Sequence, residues 1–495
     1  MAEGKVMTAA GPAGGAAARE EFRGRHAVIL GAARSGRAAA ALLARAGAEV
    51  LVADRKPDAL APEAAAELAA YGVELALGRE DAALLTGRDL LVVSPGVVIE
   101  HPLLATARAR GIEVLGELEL AARRARAPLI AVTGTDGKST TVTLLGALLA
   151  AAGRKAPVAG NVGHALALAV EKAEPADLLV VEVSSFQLET VSTFRPAVGV
   201  LLNVAPDHLD RHHSFAAYRD LKLRLFARQE ASDLAVLPAG WGAVPGRARR
   251  LAFGRDPKAV PLGATVVDGW VVRRTRAGEE RVLAAAEIGI PGPHNLDNAL
   301  AAVAALDPFA LPAPVLAAGL KNFRGLAHRL ETVAIRDGVR FINDSKATNV
   351  HALESALSTF ARGVHLIAGG RDKAGDFAAV APLVRERVAR VYRIGEARAR
   401  LAAAWPDVPG EDCASLGAAV ERAAASARPG EVVLLAPGCA SFDMFRDFVD
   451  RGELFRLLAR ALPGADPFPG AGGDAVKHGA GLVRESRGGK RGATN

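Results

Sequence analysis

Short apolar runs without polar interruptions, alternating with longer helical stretches, constrain the fold of this chain more than any other feature. The runs are HAVILG, EVLVAD, DLLVVSPG, LIAVTG, DLLVVEVS, VGVLLNV, VHLIAGG, RVYRIGE and EVVLLAPG. A strand that is apolar on both faces must be covered on both sides, which is typical of parallel sheets packed between helices. The sequence therefore predicts an α/β fold with mainly parallel sheets.

The runs fall into three groups, which we interpret as three domains between two tails. The predicted segments are a disordered tail at 1–24, domains at 25–116, 117–325 and 326–462, and a disordered tail at 463–495. Both tails are rich in Ala and Gly and offer little material for a core. Late in the middle group, VVDGWVVRRTRAGEERVLAAAEIGIPG alternates in polarity and predicts an antiparallel β-meander.

Charge and cysteine content narrow the class of protein. The formal net charge is +7, but 61 Lys and Arg stand against 54 Asp and Glu, and they are scattered rather than clustered as a nucleic-acid interface requires. The two cysteines, Cys413 and Cys439, fit a reducing compartment. No run approaches the roughly 20 apolar residues of a membrane span. We expect a soluble cytoplasmic protein that binds no nucleic acid and does not insert into a membrane.

The stretch AVTGTDGKSTTVTLL, set between an apolar run and a helical pattern, has the residues of a phosphate-binding loop. Gly134 and Gly137 allow backbone N–H groups to turn inward. Lys138 can reach terminal phosphates, and Ser139 can place its hydroxyl on Mg²⁺ at a helix N-terminus. Val132 replaces the first glycine of the usual pattern, so a tight turn with a solvated lysine is the alternative.

The next two strand ends supply candidate metal ligands. VVEVSSFQLE puts Glu182 at the carboxyl end of a buried strand, and LLNVAPDHLDRH does the same with Asp207 and His208. Ligands of α/β sheets bind at this edge, and a buried carboxylate without a partner is costly. We therefore expect a metal or cationic partner at Glu182, whereas His208 alone could be a structural histidine.

The N-terminal stretch ILGAARSGRAAAALLARAGAEVLVADRK contains a degenerate glycine turn between two strands. Read alone, it suggests a dinucleotide-binding domain and an NAD-dependent dehydrogenase. Ala33 replaces the central glycine that lets a pyrophosphate approach the backbone, and a dehydrogenase leaves the phosphate loop unexplained. A nucleotide-binding module without catalysis is a further alternative.

Motifs along the whole chain together resemble a known family, the Mur ligases, which build the peptide stem of bacterial peptidoglycan. The motifs are TGTDGKST, GNVG, VEVSSFQLE, NVAPDHLDRH, YRDLKLRLF, GPHNLDNALAA, LAHRLE, NDSKATN and APGCASFDMFRDF. The central ones are also similar to folylpolyglutamate synthetases, whereas SSFQLE, NDSKATN and CASFDMF resemble the D-glutamate-adding branch. Another Mur ligase or a folylpolyglutamate synthetase remains the alternative, although the DNPR-type motif of the diaminopimelate-adding enzymes is missing.

The resemblance implies an ATP-dependent amide ligase with a Rossmann-like N-terminal domain, a P-loop central ATPase domain and a Rossmann-like C-terminal domain. Its substrates would be UDP-N-acetylmuramoyl-L-alanine and D-glutamate, and its cofactors ATP and Mg²⁺. The γ-phosphoryl group of ATP would move to the alanyl carboxylate, and the amine of D-glutamate would then attack the acyl phosphate. A monomer acting on these small molecules is expected.

The resemblance also implies roles for individual residues, for each of which a helix cap or a surface position is the alternative. The ATP-binding residues would be Gly134, Thr135, Asp136, Gly137, Lys138, Ser139, Thr140, Asn295, Asn298, Arg329 and Asp344. The UDP-substrate residues would be Arg34, Ser35, Asp54, Lys56, Ser94, Asn161, Ser184 and Gln187. The D-glutamate residues would be Lys346, Thr348, Lys373, Ser441, Phe442 and Phe448. The catalytic set would be Lys138, Glu182, His208 and Lys222, and the metal set Ser139, Glu182, His208 and carbamylated Lys222.

Overall fold

The structure, a computed structural model, describes residues 20–290, 292–371 and 375–467. Its strands form three sheets, and the uninterrupted apolar runs are the buried strands at their centres. The chain divides into two compact units, Met1–Leu326 and Ala327–Asn495. The first unit contains two of the sheets and the second unit contains the third. The predicted α/β class with mainly parallel sheets is confirmed.

The first sheet has five parallel strands in the order β3-β2-β1-β4-β5. The strands are β1 His26–Leu30, β2 Glu49–Asp54, β3 Glu74–Leu77, β4 Leu90–Val93 and β5 Glu113–Gly116. The helices are Arg34–Arg45, Pro62–Ala69, Pro102–Ala109 and Glu117–Arg124, with a 3-10 turn at Ala82–Leu85. The strand order reverses between β1 and β4, and such switch points form ligand-binding crevices at the carboxyl ends of the strands.

The second sheet has nine strands in the order β14-β13-β12-β11-β10-β9-β6-β8-β7. The strands are β6 Leu129–Thr133, β7 Val158–Gly160, β8 Leu179–Glu182, β9 Val198–Leu201, β10 Leu234–Pro238, β11 Arg249–Phe253, β12 Gly263–Val267, β13 Trp270–Thr275 and β14 Gly278–Ala284. The helices are Lys138–Ala151, Leu166–Lys172, Ser185–Leu188, Leu209–His212, Phe215–Leu223, Pro293–Ala305 and Ala313–Asn322, with 3-10 turns at Arg224–Phe226, Ala285–Glu287 and Asp307–Phe309. Strands β12 to β14 pair antiparallel, which confirms the predicted meander.

The third sheet has seven strands in the order β19-β18-β17-β20-β16-β15-β21. The strands are β15 Glu331–Arg336, β16 Val339–Asn343, β17 Val364–Gly369, β18 Val388–Ile394, β19 Gly410–Asp412, β20 Val432–Leu435 and β21 Ala465–Pro467. The helices are Val350–Ser358, Ala381–Arg387, Arg398–Ala404, Leu416–Ser426 and Phe448–Ala461. Strands β16 to β20 pair parallel, while β15 pairs antiparallel with β16 and β21.

The inner ends of both predicted tails are ordered, which corrects the prediction there. Phe22 is fully buried, because it is a large apolar side chain within the Ala-rich and Gly-rich segment. At the other end, β21 pairs with the edge strand β15, because an edge strand offers unpaired backbone groups. Residues 1–19 and 468–495 lie outside the described residues. Within the described chain, no helix is both long and apolar enough to cross a membrane.

Candidate active site

The predicted phosphate loop connects the carboxyl end of β6 to the helix Lys138–Ala151. Gly134 and Gly137 have φ values of 156° and 80°, which L side chains rarely adopt. A Cβ atom at Gly137 would also lie 2.3 Å from Oδ1 of Asn298. The loop therefore requires glycine at this position for both conformation and space. Ser139 and Thr140 occupy the first turn of the helix.

The side chains of Lys138 and Asn203 both form hydrogen bonds with the backbone of the loop. Nζ of Lys138 donates to the backbone oxygens of Gly134 at 2.9 Å and Thr135 at 2.6 Å. Oδ1 of Asn203 accepts from the backbone N–H groups of Thr135 at 3.1 Å and Asp136 at 2.9 Å. The sequence analysis missed Asn203. Its signal was a polar residue two positions after the buried strand β9, which is adjacent to β6 in the sheet.

Glu182 ends β8, the other neighbour of β6, and pairs in register with Val132. Its side chain is buried, and Oε1 accepts from Nδ2 of Asn161 at 2.7 Å. The other carboxylate oxygen, Oε2, is buried and has no hydrogen-bond partner among the described residues. An orphaned carboxylate oxygen is costly and is stabilised by a cation. A carboxylate oxygen is a suitable ligand for Mg²⁺, and binding of the metal at Glu182 stays a prediction.

His208 stands on an exposed turn after β9. It has a φ of 52°, its side chain is 49% exposed, and Nε2 lies 3.4 Å from Oδ2 of Asp207. The ring of Phe186 lies 4.9 Å from the imidazole, centroid to centroid. Among the described residues, no three His, Cys, Asp or Glu side chains form a ready metal site. Mg²⁺ usually keeps several water ligands and binds through one or two carboxylates and substrate phosphates, so such a cluster is not required for it.

Lys222 lies at the phosphate loop, as its predicted role requires. Its side chain is buried, and Nζ donates to the backbone oxygen of Gly134 at 2.7 Å. Burial, and next the charge of Lys138, lower the pKa of Lys222 to about 7. Nζ also lies 4.4 Å from the ring centroid of Tyr218, whose hydroxyl shares a hydrogen bond with the Thr135 hydroxyl. Tyr218 is a second neighbour of the loop that the sequence analysis missed.

Asn295 and Asn298 share the helix Pro293–Ala305. Nδ2 of Asn298 donates to Oδ1 of Asn295 at 3.4 Å, and Asn298 packs against Gly137 as described above. The structure therefore brings the predicted asparagine pair to the phosphate loop. Which part of the nucleotide the two amides face stays a prediction.

The predicted UDP residues surround the turn after β1. Oδ2 of Asp54 accepts from the backbone N–H of Ala32 at 2.9 Å, and Oδ1 accepts from that of Lys56 at 3.0 Å. The hydroxyl of Ser94 donates to the backbone oxygen of Gly31 at 3.0 Å. These contacts fix the turn at the switch point of the first sheet. The half-buried Ser35 and the exposed Lys56 flank it.

Arg34 contacts the central domain rather than only its own turn. Its guanidinium donates to the backbone oxygens of Gly163 at 2.9 Å and Asn161 at 3.0 Å. Ser184 and Gln187 form a capping box on the short helix Ser185–Leu188. For these two residues the structure shows the helix-capping alternative, and substrate contacts by all three stay predictions.

In the second unit, the predicted nucleotide residues lie on two loops that meet. Asp344 follows β16, is buried, and accepts from the backbone N–H of Leu330 at 3.2 Å. Burial raises the pKa of Asp344 to about 6. Arg329 precedes β15 and its side chain is exposed. The pair is thus formed by the ends of β15 and β16.

The predicted D-glutamate residues follow β16 and β20. Lys346 and Thr348 lie after β16, and the backbone oxygen of Ala347 accepts from Gly438 in the loop after β20 at 2.8 Å. Ser441 in that loop is buried, whereas Phe442 is 58% exposed. Phe448 begins the helix Phe448–Ala461. Lys373 lies outside the described residues.

Comparisons with known proteins match the chain in three consecutive parts. The model of the Mur ligase MurD-like N-terminal domain matches residues 25–116, that of the Mur ligase middle domain matches 132–306, and that of the Mur ligase glutamate ligase domain matches 328–439. Two UDP-N-acetylmuramoylalanine–D-glutamate ligases are 43% identical. The one from Geobacter metallireducens aligns over 89% of this chain and 98% of its own, and the one from Pelotomaculum thermopropionicum over 90% and 99%.

Two further comparisons extend this result. The enzyme of the same name from Anaeromyxobacter dehalogenans is 44% identical over 89% of this chain and 99% of its own. Among solved structures, the UDP-N-acetylmuramate-alanine ligase MurC from Thermotoga maritima has a TM-score of 0.51 at 18% identity, over 87% of this chain and 98% of that one. The second likeness concerns the fold alone.

Proposed function

The chain belongs to the Mur ligase family, in its D-glutamate-adding type, and from this premise we propose how its residues carry out the reaction. It joins the amine of D-glutamate to the alanyl carboxylate of UDP-N-acetylmuramoyl-L-alanine and cleaves ATP, a step of peptidoglycan precursor synthesis. The observation that carries the proposal is the pairing of a phosphate loop with an orphaned carboxylate, Glu182, on the adjacent strand ends of β6 and β8.

The phosphate loop binds ATP. The γ-phosphoryl group then moves from ATP to the substrate carboxylate. One carboxylate oxygen of the alanyl group attacks the γ-phosphorus, the bond to the β-phosphate oxygen breaks, and ADP leaves. Lys138, which now donates to Gly134 and Thr135, turns toward the transferred group and stabilises its charge. The amine then attacks the acyl phosphate carbon, inorganic phosphate departs, and the amine loses a proton.

Mg²⁺, when bound, neutralises phosphate charge, and Ser139, Glu182 and His208 would hold it. Lys222 supports this site if its amine adds CO₂ to become a carbamate, because the sign of its charge then reverses. The lowered pKa of Lys222, near 7, supports the idea because the neutral amine is the form that reacts. Asn295 and Asn298 bind the nucleotide beside the loop, and Arg329 and Asp344 are further candidates for contacts with it.

The other two substrates bind mainly to the N-terminal and C-terminal domains. The turn fixed by Asp54 and Ser94 at the switch point of the first sheet takes the UDP group. Arg34, Ser35, Lys56, Asn161, Ser184 and Gln187 are the remaining candidates for this substrate. Lys346, Thr348, Lys373, Ser441, Phe442 and Phe448 form the D-glutamate site, since charge-assisted hydrogen bonds to carboxylates are strong. The enzyme works as a monomer in the cytoplasm.

Phosphate release from ATP tests the proposal directly. The assay contains UDP-N-acetylmuramoyl-L-alanine and compares D-glutamate, L-glutamate, meso-diaminopimelate and L-lysine as acceptors. Release that depends on D-glutamate, with the amide product found by mass spectrometry, is the expected result. Equal or greater release with another acceptor would assign the chain to a different ligase reaction, and tight NADH binding without ATP binding would favour a dehydrogenase.

A further inference from the structure

The turn that carries Arg329 has an unfavourable backbone conformation. His328 and Leu330, on either side of Arg329, have φ values of 62° and 45°. Both are non-glycine residues in the left-handed region, where the Cβ atom crowds the backbone. Such residues persist only where surrounding contacts hold them, and they cluster at functional sites. Contacts with other residues must therefore stabilise this turn.

Three backbone groups of the turn form hydrogen bonds with residues outside it. The N–H of His328 donates to Oε2 of Glu331 at 2.8 Å. The backbone oxygen of His328 accepts from the N–H of Lys346 at 3.0 Å. The N–H of Leu330 donates to Oδ1 of Asp344 at 3.2 Å. Two carboxylates thus fix the two strained residues, and Glu331 is the one that no predicted role includes.

The imidazole of His328 is locked as well. Burial lowers the pKa of His328, so that the neutral ring can accept at Nδ1 from Nδ2 of Asn343 at 3.0 Å. Nε2 lies 3.4 Å from Oε1 of Glu453. A Cβ atom at Gly452 would lie 2.2 Å from Nδ1 of the ring. The ring is thereby wedged against the helix Phe448–Ala461.

Arg456, on the same helix, holds Glu331. Its guanidinium donates to Oε1 at 2.9 Å and to Oε2 at 3.0 Å, and both side chains are buried. Oε2 is the same atom that accepts from His328. Arg456 also pairs with Glu453. Removing Arg456 would leave Glu331 as an uncompensated buried carboxylate, which is strongly unfavourable.

We propose that Glu331 and Arg456 are positioning residues for Arg329, holding the strained turn in the conformation that presents its guanidinium. They act through the backbone of the turn and touch no substrate. The effect on catalysis rests on the proposed function, in which Arg329 binds the phosphates of ATP. The effect on the turn itself does not depend on that function.

The kinetic test compares Arg456→Met with the matched control Arg393→Met. Arg393 forms an ion pair with Asp412 at 2.6 Å in the same unit, at β18 and β19. We expect Arg456→Met to raise the KM for ATP about tenfold while the KM for the UDP substrate is unchanged. Arg456→Lys restores part of the loss, and Arg393→Met leaves both KM values unchanged. In an Arg329→Ala background, Arg456→Met should have no further effect on the KM for ATP.

A second measurement separates this proposal from the proposed function. Amide hydrogen exchange at His328 and Leu330 should become faster in Arg456→Met and in Glu331→Gln, but not in Arg393→Met, without any substrate present. If Arg456→Met does not fold, Glu331→Gln provides the same comparison, because it keeps an acceptor for His328 and loses the charge. Unchanged exchange, or a KM effect that persists without Arg329, would overturn the positioning role. A chain that fails to ligate D-glutamate would refute the proposed function and leave the exchange result standing.

Discussion

The phosphate loop and the Arg329 turn reach unusual backbone conformations by different means. In the loop, glycines occupy the left-handed positions Gly134 and Gly137, so the conformation is favoured by the local sequence. In the turn, His328 and Leu330 adopt left-handed conformations against local preference. They are held by the neighbouring Glu331 and by groups distant in sequence, Asp344 and Arg456. The glycines let the loop reach these angles without backbone strain, whereas the turn is held at them by a buried network.

This difference predicts how each region fails. A substitution of a loop side chain that carries chemistry should remove activity and leave the fold intact, because the glycines set the backbone angles of the loop. A substitution in the network around the turn should change the position of Arg329, even when the substituted residue lies on the helix Phe448–Ala461. The following substitutions test that contrast in order of decreasing effect.

Lys138→Ala should lower kcat by about 10²–10³-fold, because a positioned cation that stabilises transferred charge is lost. The protein should still fold, since the loop keeps the hydrogen bonds of Thr135 and Asp136 to Asn203 and of Gly134 to Lys222. Phosphate release measures the rate, and thermal unfolding monitors the fold. A loss smaller than about tenfold, or roughly 1.4 kcal/mol of barrier, would contradict the role of Lys138.

Lys222→Ala should be nearly inactive, about 10²-fold or more below the unchanged enzyme, because the anionic carbamate near the loop is lost. Formate or acetate should restore part of the activity by occupying the vacated position. Phosphate release with and without these acids is the measurement, and Lys138→Ala, which the acids should not rescue, is the control. Full activity of Lys222→Ala without added acid would rule the carbamate out.

The same contrast explains which parts of the fold and of the site could be predicted from the sequence. The strands, the meander and the loop follow from local features such as apolar runs, alternation and glycines, and these could be predicted from the sequence. The network of Glu331, Asn343 and Arg456 could not, because its members are up to 125 positions apart. Glu331 and Asn343 lie within the motifs LAHRLE and NDSKATN, but nothing in the sequence pairs them with Arg456. Asn203 and Tyr218 lie in the quoted motifs NVAPDHLDRH and YRDLKLRLF, but the motifs do not show which of their residues bond to the loop, and only the folded chain does. Lys222 was located through the resemblance, and the structure supplies its physical neighbours.

Gly137→Ala sharpens the comparison at the loop, with Gly153→Ala as its control. Both glycines have positive φ, 80° and 71°, so both substitutions should cost about 1–2 kcal/mol of stability. In the part of the chain that the structure describes, a Cβ at Gly137 would lie 2.3 Å from Oδ1 of Asn298, whereas a Cβ at Gly153 would have no neighbour within 4 Å. We therefore expect weaker ATP binding in Gly137→Ala alone, measured by calorimetry. Equal ATP affinity in the two variants would mean that the loop tolerates the contact.

Gly452→Ala tests the turn from the helix on which the network rests. In a helix interior, alanine is normally favoured over glycine by about 1 kcal/mol, but a Cβ at Gly452 would lie 2.2 Å from Nδ1 of His328. The ring must then move, and because it anchors the strained turn we expect lower stability and a several-fold higher KM for ATP. Gly417→Ala is the control, since its nearest neighbour lies at 3.7 Å in another helix of the same unit. The measurements are thermal unfolding and the KM for ATP in both variants. If Gly452→Ala behaves like Gly417→Ala, the His328 ring does not hold the turn, and the contrast with the phosphate loop is wrong.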